Sequence, residues 1–360
     1  MKKILHFYRF RKKRIAFVYT ILKCLTLIPL KKVLIIRFSS IGDIVLTTPV
    51  IRCLKIQLKE VEIHYLTKST FSFMLENNPY VDRVHKMENE IDELVHALKA
   101  EQFDFIIDLH HNLRTWRLKR KLKVRSRSFP KLNIQKYLLT RFKRRKMPDI
   151  HIVDRYFQAT AQLGIQNDKK GLDYFIPDAT SLPTILDQKE PYIAIAVGAQ
   201  FATKKLPVEQ LIQLIHKIEL PVVLLGGSND VDTGTHIERT CPNSINLCGK
   251  LHLDASARVI QHAQKVITHD TGLMHIAAAF HKPILSIWGN TVPEFGMYPY
   301  LPKTPDLFTV HEVVLPCRPC SKIGHNQCPK GHFECMTAQN IPEIAHQANA
   351  PIPLQKDSKD

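Results

Sequence analysis

The sequence predicts an α/β protein made of two doubly wound halves with a ligand cleft between them. Three observations carry this prediction. Short apolar runs of strand length alternate with segments of helical period. The alternation restarts after a proline-bearing stretch near residue 180. In each half, an apolar run ends in a glycine-containing turn that holds a carboxylate: Ser39 to Asp43 (SSIGD) and Asp270 to Gly272 (DTG). With 360 residues, the chain is long enough for two domains of ordinary size.

In the first half, Lys32 to Arg37 (KVLIIR) reads as a buried strand, residues 38–42 as its loop, and Asp43 to Gln57 as a helix. Glu62 to Leu66 is the next strand, Ile91 to Ala100 a helix, and Phe103 to Leu109 a third strand. The pattern weakens through 114–146 and a helix resumes over Ile152 to Leu163. Residues 177–191, with Pro177, Pro183 and Pro191, read as a linker. In the second half, Tyr192 to Val197 is a strand, Val208 to Ile218 a helix, and Pro221 to Leu225 a strand ending at Gly226-Gly227. Val266 and Ile267 lead into the DTG turn, the helix Leu273 to Phe280 and the strand Pro283 to Trp288. That order is the crossover unit of a parallel sheet. The expected domains are therefore 31–180 and 190–345, preceded by an extension over 1–30.

That extension joins a basic start (Lys2, Lys3, Arg9, Arg11, Lys12, Lys13, Arg14) to the apolar run Ile15 to Leu30, which Lys23 interrupts. The run is shorter than the roughly 20 residues a membrane span requires, and no small-residue cleavage site follows. It reads as an amphipathic helix lying on an anionic membrane surface, or packed on the protein itself.

The formal charge of +18 points to an anionic partner. Between Arg114 and Lys146 stand fifteen Lys or Arg and no Asp or Glu. Aromatic residues interleave them (Trp116, Phe129, Tyr137, Phe142), so a nucleic-acid-binding protein is one reading, although no known module accompanies them. Cys24, Cys53, Cys241 and Cys248 are scattered, which fits a reducing compartment. Cys317, Cys320, Cys328 and Cys335 are clustered and raise the option of a structural zinc site, with His325 and His332 nearby. The absence of G-x-G-x-x-G after a strand argues against a nicotinamide dehydrogenase, and the absence of G-x-x-x-x-G-K-[ST] against a P-loop kinase. Asp230-Val231-Asp232 matches a D-x-D metal pair only as a three-residue coincidence.

The chemistry-bearing residues sit where open α/β sheets bind ligands, at strand C-terminal ends. Ser40 and Gly42 are placed on the acceptor side, Gly42 letting a substrate approach the backbone. Asp43 offers a carboxylate at a helix start, as a base or as a plain N-cap. Across the cleft, Thr203 with Lys204 or Lys205 suits a diphosphate, and Asp230 suits ribose hydroxyls. Thr271 and Gly272 leave unpaired N–H groups at a helix start for an anion, with Asp270 beside them to hold hydroxyls. A phosphate cradle next to a carboxylate suggests a sugar nucleotide.

SSIGD, KKLP (204–207) and DTGLMHIAAA (270–279), in this order and spacing, resemble the family 9 glycosyltransferases, which include the ADP-heptose:lipopolysaccharide heptosyltransferases. The resemblance covers about residues 31–340, with Leu206 where the family usually carries Trp. It implies a GT-B fold of two Rossmann-like domains. It also implies inverting, metal-independent transfer from a nucleotide-diphospho-sugar such as ADP-heptose to the lipopolysaccharide inner core, with no cofactor. By the same resemblance Asp43 is the general base, Lys204 the phosphate-binding lysine, and Asp270, Thr271, Gly272, Leu273 and His275 the donor loop. Arg114 resembles an acceptor-contacting arginine. The implied partners are a nucleotide-sugar donor, a phosphorylated lipid A/Kdo-type acceptor and an anionic membrane surface on the cytoplasmic side, and nucleic acid is not among them. A catalytically silent scaffold of the same fold is the other alternative, against which the intact Asp43 speaks.

Overall fold

The computed structural model describes residues 30–88, 91–186 and 191–352. The extension expected over residues 1–30 lies, apart from Leu30, outside the described residues.

The first half is a five-stranded sheet, entirely parallel. It contains β1 (Lys32–Ile36), β2 (Glu62–Lys68), β3 (Arg83–Met87), β4 (Phe105–Asp108) and β5 (Ser126–Ser128) in the order β3-β2-β1-β4-β5. Leu34 of β1 lies opposite His64 on one side and Ile106 on the other. Val33 to Ile36 are fully buried, as a central strand covered on both faces requires. Among the described residues seven α-helices accompany the sheet: α1 (Ile41–Val45), α2 (Thr48–Gln57), α3 (Phe73–Glu76), α4 (Ile91–Ala100), α5 (Leu113–Leu122), α6 (Asn133–Phe142) and α7 (Ile152–Phe157).

Two local expectations change here. The helix expected over Asp43 to Gln57 is two helices. Pro49, in the first turn of α2, has no N–H and its ring crowds the carbonyl four residues back, so α1 stops at Val45. The basic stretch 114–146 is regular after all, holding α5, β5 and α6. Asn112 caps α5 by accepting from Thr115 N at 3.0 Å. Buried Asp108, at the end of β4, binds Lys119 of α5 at 2.7 Å and accepts from the N–H groups of His110 and His111.

The second half is a six-stranded parallel sheet of β6 (Ile193–Ala196), β7 (Val222–Leu225), β8 (Ser244–Asn246), β9 (Lys265–His269), β10 (Ile284–Trp288) and β11 (Phe308–Glu312). Its order is β11-β10-β9-β6-β7-β8. The helices α8 (Val208–Ile215), α9 (Val231–Thr240), α10 (Leu253–His262), α11 (Gly272–Ala279), α12 (Glu334–Thr337) and α13 (Ile341–Asn349) complete it. Periodicity did not resolve β8, because three residues cannot show a period. Buried Lys265 donates to the Gln347 and Ala348 carbonyls at 2.8 Å, which ties the C-terminal end of α13 to the base of β9.

Strand order reverses between β1 and β4 and again between β6 and β9. A crevice opens at such points, beyond the C-terminal strand ends. Contacts at three places, among others, hold the halves so that these crevices meet. Around α7, Ile152 N donates to the Gly296 carbonyl at 2.7 Å and Arg155 to that of Phe295 at 2.6 Å. Arg52 of α2 grips Asp168 through two hydrogen bonds (2.9 and 2.8 Å) and also reaches Asp173, fixing within the first half the segment whose Tyr174 donates to Asp254 of the second. The third contact is α1 against α11. A Cβ on Gly42 would stand 2.6 Å from His275 Cδ2, and one on Gly272 would stand 2.6 Å from Ile41 Cγ2. Each helix start thus omits a side chain where the other passes.

Candidate active site

The two crevices form one cavity of about 620 Å³, a volume suited to a small-molecule ligand. Arg37, Asp43 and Lys136 face it from the first half, and Lys204, Asp270 and His275 from the second.

Asp43 lies in the first turn of α1, with Ser40 rather than Asp43 as the N-cap. Its Oδ2 accepts from Ser40 N (3.2 Å) and Ser40 Oγ (3.0 Å), and its Oδ1 stands 2.6 Å from Arg37 Nη2. Burial disfavours the charged carboxylate, but the Arg37 guanidinium and the Ser40 hydrogen bonds outweigh it and hold Asp43 below its ordinary range. The side chain is still 22% exposed to the cleft, so a substrate can reach it. Arg37 follows β1 directly and is locked by donating to the carbonyls of Ser39 and Leu109, 2.7 Å each, and to Tyr156 Oη. Ser40 therefore acts on the carboxylate. Gly42 lines the cleft, yet the space of its missing side chain holds the His275 ring and not only a substrate.

On the opposite wall, α11 starts at Gly272 with Thr271 as N-cap, and the Thr271 side chain does not cap its first N–H groups. Lys204 Nζ contacts Asp270 Oδ2 at 2.6 Å, and Thr291 Oγ1 donates to the same oxygen at 3.0 Å. An ammonium, a carboxylate, a hydroxyl and a helix start thus converge within one loop cluster. Thr271 and Gly272 line the cleft, whereas Leu273 packs into the core behind it. His275 and His110, one from each half, line the cleft with a buried Nδ1 that has no hydrogen-bond partner among the described residues. Burial lowers the pKa of each to about 4, so both imidazoles are neutral near pH 7.

Other candidates stand elsewhere. Thr203 is buried and exchanges hydrogen bonds with the His325 backbone, Oγ1 to O at 2.9 Å and N to Oγ1 at 2.8 Å. It fastens the loop after β6 to the cysteine-bearing segment and does not line the cleft. Asp230 pairs with Lys205 at 2.6 Å and accepts from Gly227 N, so both carboxylate oxygens are engaged. Arg114 is exposed on α5 and does not line the cleft. The cations that do so from the first half are Arg37, Lys131 and Lys136, and Lys322 reaches in from the second. None of these four was singled out from the sequence. Arg37 alone left a signal, as a charge ending an apolar strand. Leu206 is buried beneath the loop, and its N–H donates to His269 Nε2 at 2.9 Å.

The segment 317–335 closes over this site, with Lys322 and Ile323 on the cleft and Pro319 accepting from Lys143 Nζ of the first half at 2.7 Å. Its four cysteines do not form a preformed tetrahedral centre. No three of their sulfurs lie within 4.8 Å of one another, and Cys335 is buried with its thiol pushed up to about 11. Among the described residues the group of metal-type donors at that spacing is His64, His85 and Glu101, on the first sheet. Lys32 and Arg83 both pair with Glu101 there, so cations already occupy its carboxylate.

Comparison with known proteins places the chain. The model of glycosyltransferase family 9 (heptosyltransferase) matches residues 91–327, and the chain belongs to that family. It is 24% identical over 302 residues to lipooligosaccharide heptosyltransferase 2 of Haemophilus influenzae, covering 73% of this chain and 84% of that one. It is 25% identical over 326 residues to lipopolysaccharide heptosyltransferase 1 of Pseudomonas aeruginosa, covering 81% and 86%. Among solved structures, the Escherichia coli heptosyltransferase WaaC with ADP superposes with a TM-score of 0.63 at 21% identity, over 89% of this chain and 100% of that one. The E. coli ADP-heptose lps heptosyltransferase II gives 0.63 at 20% identity over the same shares. The fold is GT-B, as the two doubly wound sheets expected from the sequence require.

Proposed function

We propose that this family 9 member transfers a heptose, with inversion and without a metal, from an ADP-heptose-type donor to a hydroxyl of a phosphorylated, Kdo-bearing lipid acceptor. The observation that carries the reading is the opposition, across one cleft, of an ionised Asp43 and the Lys204–Asp270 helix-start cluster. The names of the relatives, all heptosyltransferases of lipopolysaccharide or lipooligosaccharide, agree with it.

The reaction is a single in-line displacement. Asp43 accepts the proton of the acceptor hydroxyl as its oxygen bonds to the anomeric carbon, while the bond from that carbon to the diphosphate oxygen breaks on the opposite face. Charge growing on the leaving nucleoside diphosphate is met by Lys204 and the backbone N–H groups of 271–273, which supply the stabilisation a metal ion provides in other transferases. Asp270 holds sugar hydroxyls, and neutral His275 offers a hydrogen bond to a hydroxyl or a phosphate oxygen. Arg37, Lys131, Lys136 and Lys322 neutralise the anionic acceptor. Because Asp43 is held ionised, proton transfer comes late, as the sugar gains oxocarbenium character.

The relatives' substrates suggest action at the cytoplasmic face of the inner membrane. No helix among the described residues is long and apolar enough to cross a membrane. A thermal-shift panel of nucleotide sugars, followed by a transfer assay with the stabilising donor, tests the reading. Stabilisation by ADP-heptose above other nucleotide sugars is expected, and stabilisation by none of them would sink it.

A further inference from the structure

Helix α6 has two faces of opposite character. Its inner face gives Asn133 and Lys136 to the cleft and buries Leu139 with Val292 and Phe295. Its outer face leaves Ile134 73% exposed, Phe142 56% and Tyr137 52%, the two rings meeting edge to face with centroids 5.9 Å apart. The segments that lead into α5 and α6 touch. His111, just ahead of α5, has its Nδ1 2.9 Å from the carbonyl of Phe129, just ahead of α6. There Leu113 is 64% and Trp116 48% exposed, with the Arg120 guanidinium over the indole at 4.8 Å.

Single exposed apolar side chains are ordinary; a group of them set among cations with no acid in the same stretch is not. Large apolar and aromatic residues flanked by Lys and Arg match the layer where lipid headgroups meet acyl chains. We propose that the outer face of α6, with the start of α5, seats this protein on an anionic phospholipid surface. The helix that touches the lipid is then the helix whose opposite side lines the cleft. A helix is about 10–12 Å across, so a lipid-borne acceptor reaches the Lys136 side by passing one helix diameter. This purpose rests on the lipid-linked acceptor proposed above, whereas the binding itself does not.

The aliphatic Leu113 and Ile134 favour lipid over nucleic acid, since only aromatic or guanidinium planes stack on bases.

The test uses the full chain, vesicles of phosphatidylglycerol and phosphatidylethanolamine, and the triple variant I134E/Y137E/F142E. Three interfacial side chains made acidic are expected to weaken vesicle partition roughly tenfold or more, with an unchanged melting temperature. Trp116 and Trp288 are the two tryptophans, and Trp288 is 1% exposed, so quenching by brominated lipid reports Trp116 and not the N-terminal extension. Quenching that the triple variant abolishes supports the seat. Unchanged partition, or an unquenched Trp116, overturns it. So does loss of RNA binding in the triple variant with vesicle binding intact. Donor binding is measured in the same samples by thermal shift, so failure of the glycosyltransferase reading shows separately from failure of this one.

Discussion

Arg37 and Asp43 form an ion pair inside the cleft, Nη2 to Oδ1 at 2.6 Å, while the same guanidinium is pinned by the carbonyls of Ser39 and Leu109. The pair is rigid from the arginine side, so the carboxylate is both ionised and aimed. Without that partner only the Ser40 hydrogen bonds would be left to oppose the burial that raises the carboxylate's pKa.

Asp43→Ala is expected to lower the turnover of transfer by about 10²–10⁴-fold, the usual worth of a positioned base. Donor affinity, measured by calorimetry, should stay within a few-fold of the parent. Retained turnover in that variant removes Asp43 from its role.

Arg37→Met tests the pair itself. Arg37 lowers the Asp43 pKa, so its loss raises that pKa. The acid limb of kcat/KM against pH then moves to higher pH, while the alkaline limb stays. An unmoved acid limb means that Arg37 does not set the ionisation of the base.

Lys204→Ala should weaken donor binding by about 2 kcal/mol, or roughly thirtyfold, because a charge-assisted contact is lost and Asp270 is left unpaired near the diphosphate. Affinity for the nucleoside without phosphates should not change. Equal losses for both ligands would place Lys204 away from the phosphates.

The glycines at the crossing of α1 and α11 tolerate no side chain. Gly42→Ala drives a methyl to 2.6 Å from His275 Cδ2 and should destabilise the protein by about 1–3 kcal/mol. Because the clash separates the two walls of the cleft, turnover should fall along with the melting temperature. A variant with full stability and activity would show that the halves do not work at this spacing.

Lys136 and Arg114 give opposite expectations. Burial lowers Lys136 to about 8, so its charge is present below that pH and lost above it. The KM for an anionic acceptor should rise as pH passes through about 8, and Lys136→Met should abolish that rise. Arg114→Ala, at an exposed site off the cleft, should leave the acceptor KM unchanged.

Arg52 serves stability. Burial works against the Asp168 carboxylate, but Arg52 hydrogen bonds and charge lower it to about 2, whereas burial pushes Asp173 up. Asp168 therefore contributes stability that is complete above the usual carboxylate range and lost as pH falls through about 2. Arg52→Met leaves both acids without their cation and should cost on the order of 3 kcal/mol in chemical denaturation at pH 7.

Much of the scaffold was readable from local pattern. KVLIIR, FDFIID and KVITH are strands because short apolar runs rich in Val, Ile and Phe suit a sheet covered on both faces. Asp43 and Asp270 could be marked because strand, glycine turn and helix follow one another within a dozen residues. Three-residue β8 and the division of Asp43–Gln57 were not readable as such. One is too short for a period, and the other turns on where a single proline meets a carbonyl.

The sequence by itself determined two doubly wound halves and the loops that carry a carboxylate in each, since both follow from spacing along the chain. Only the tertiary structure decided which charges serve the cleft. Fifteen cations between Arg114 and Lys146 look alike in sequence, yet Lys131 and Lys136 line the cavity while Arg114 faces water. Arg37 and Asp43 meet only because α1 folds back over the end of β1, and Gly42 proves to make room for His275, 233 positions further along. The physical reason is direction. Period tells which residues share a helix face, but what that face meets is set by strand order and by the packing of one half on the other.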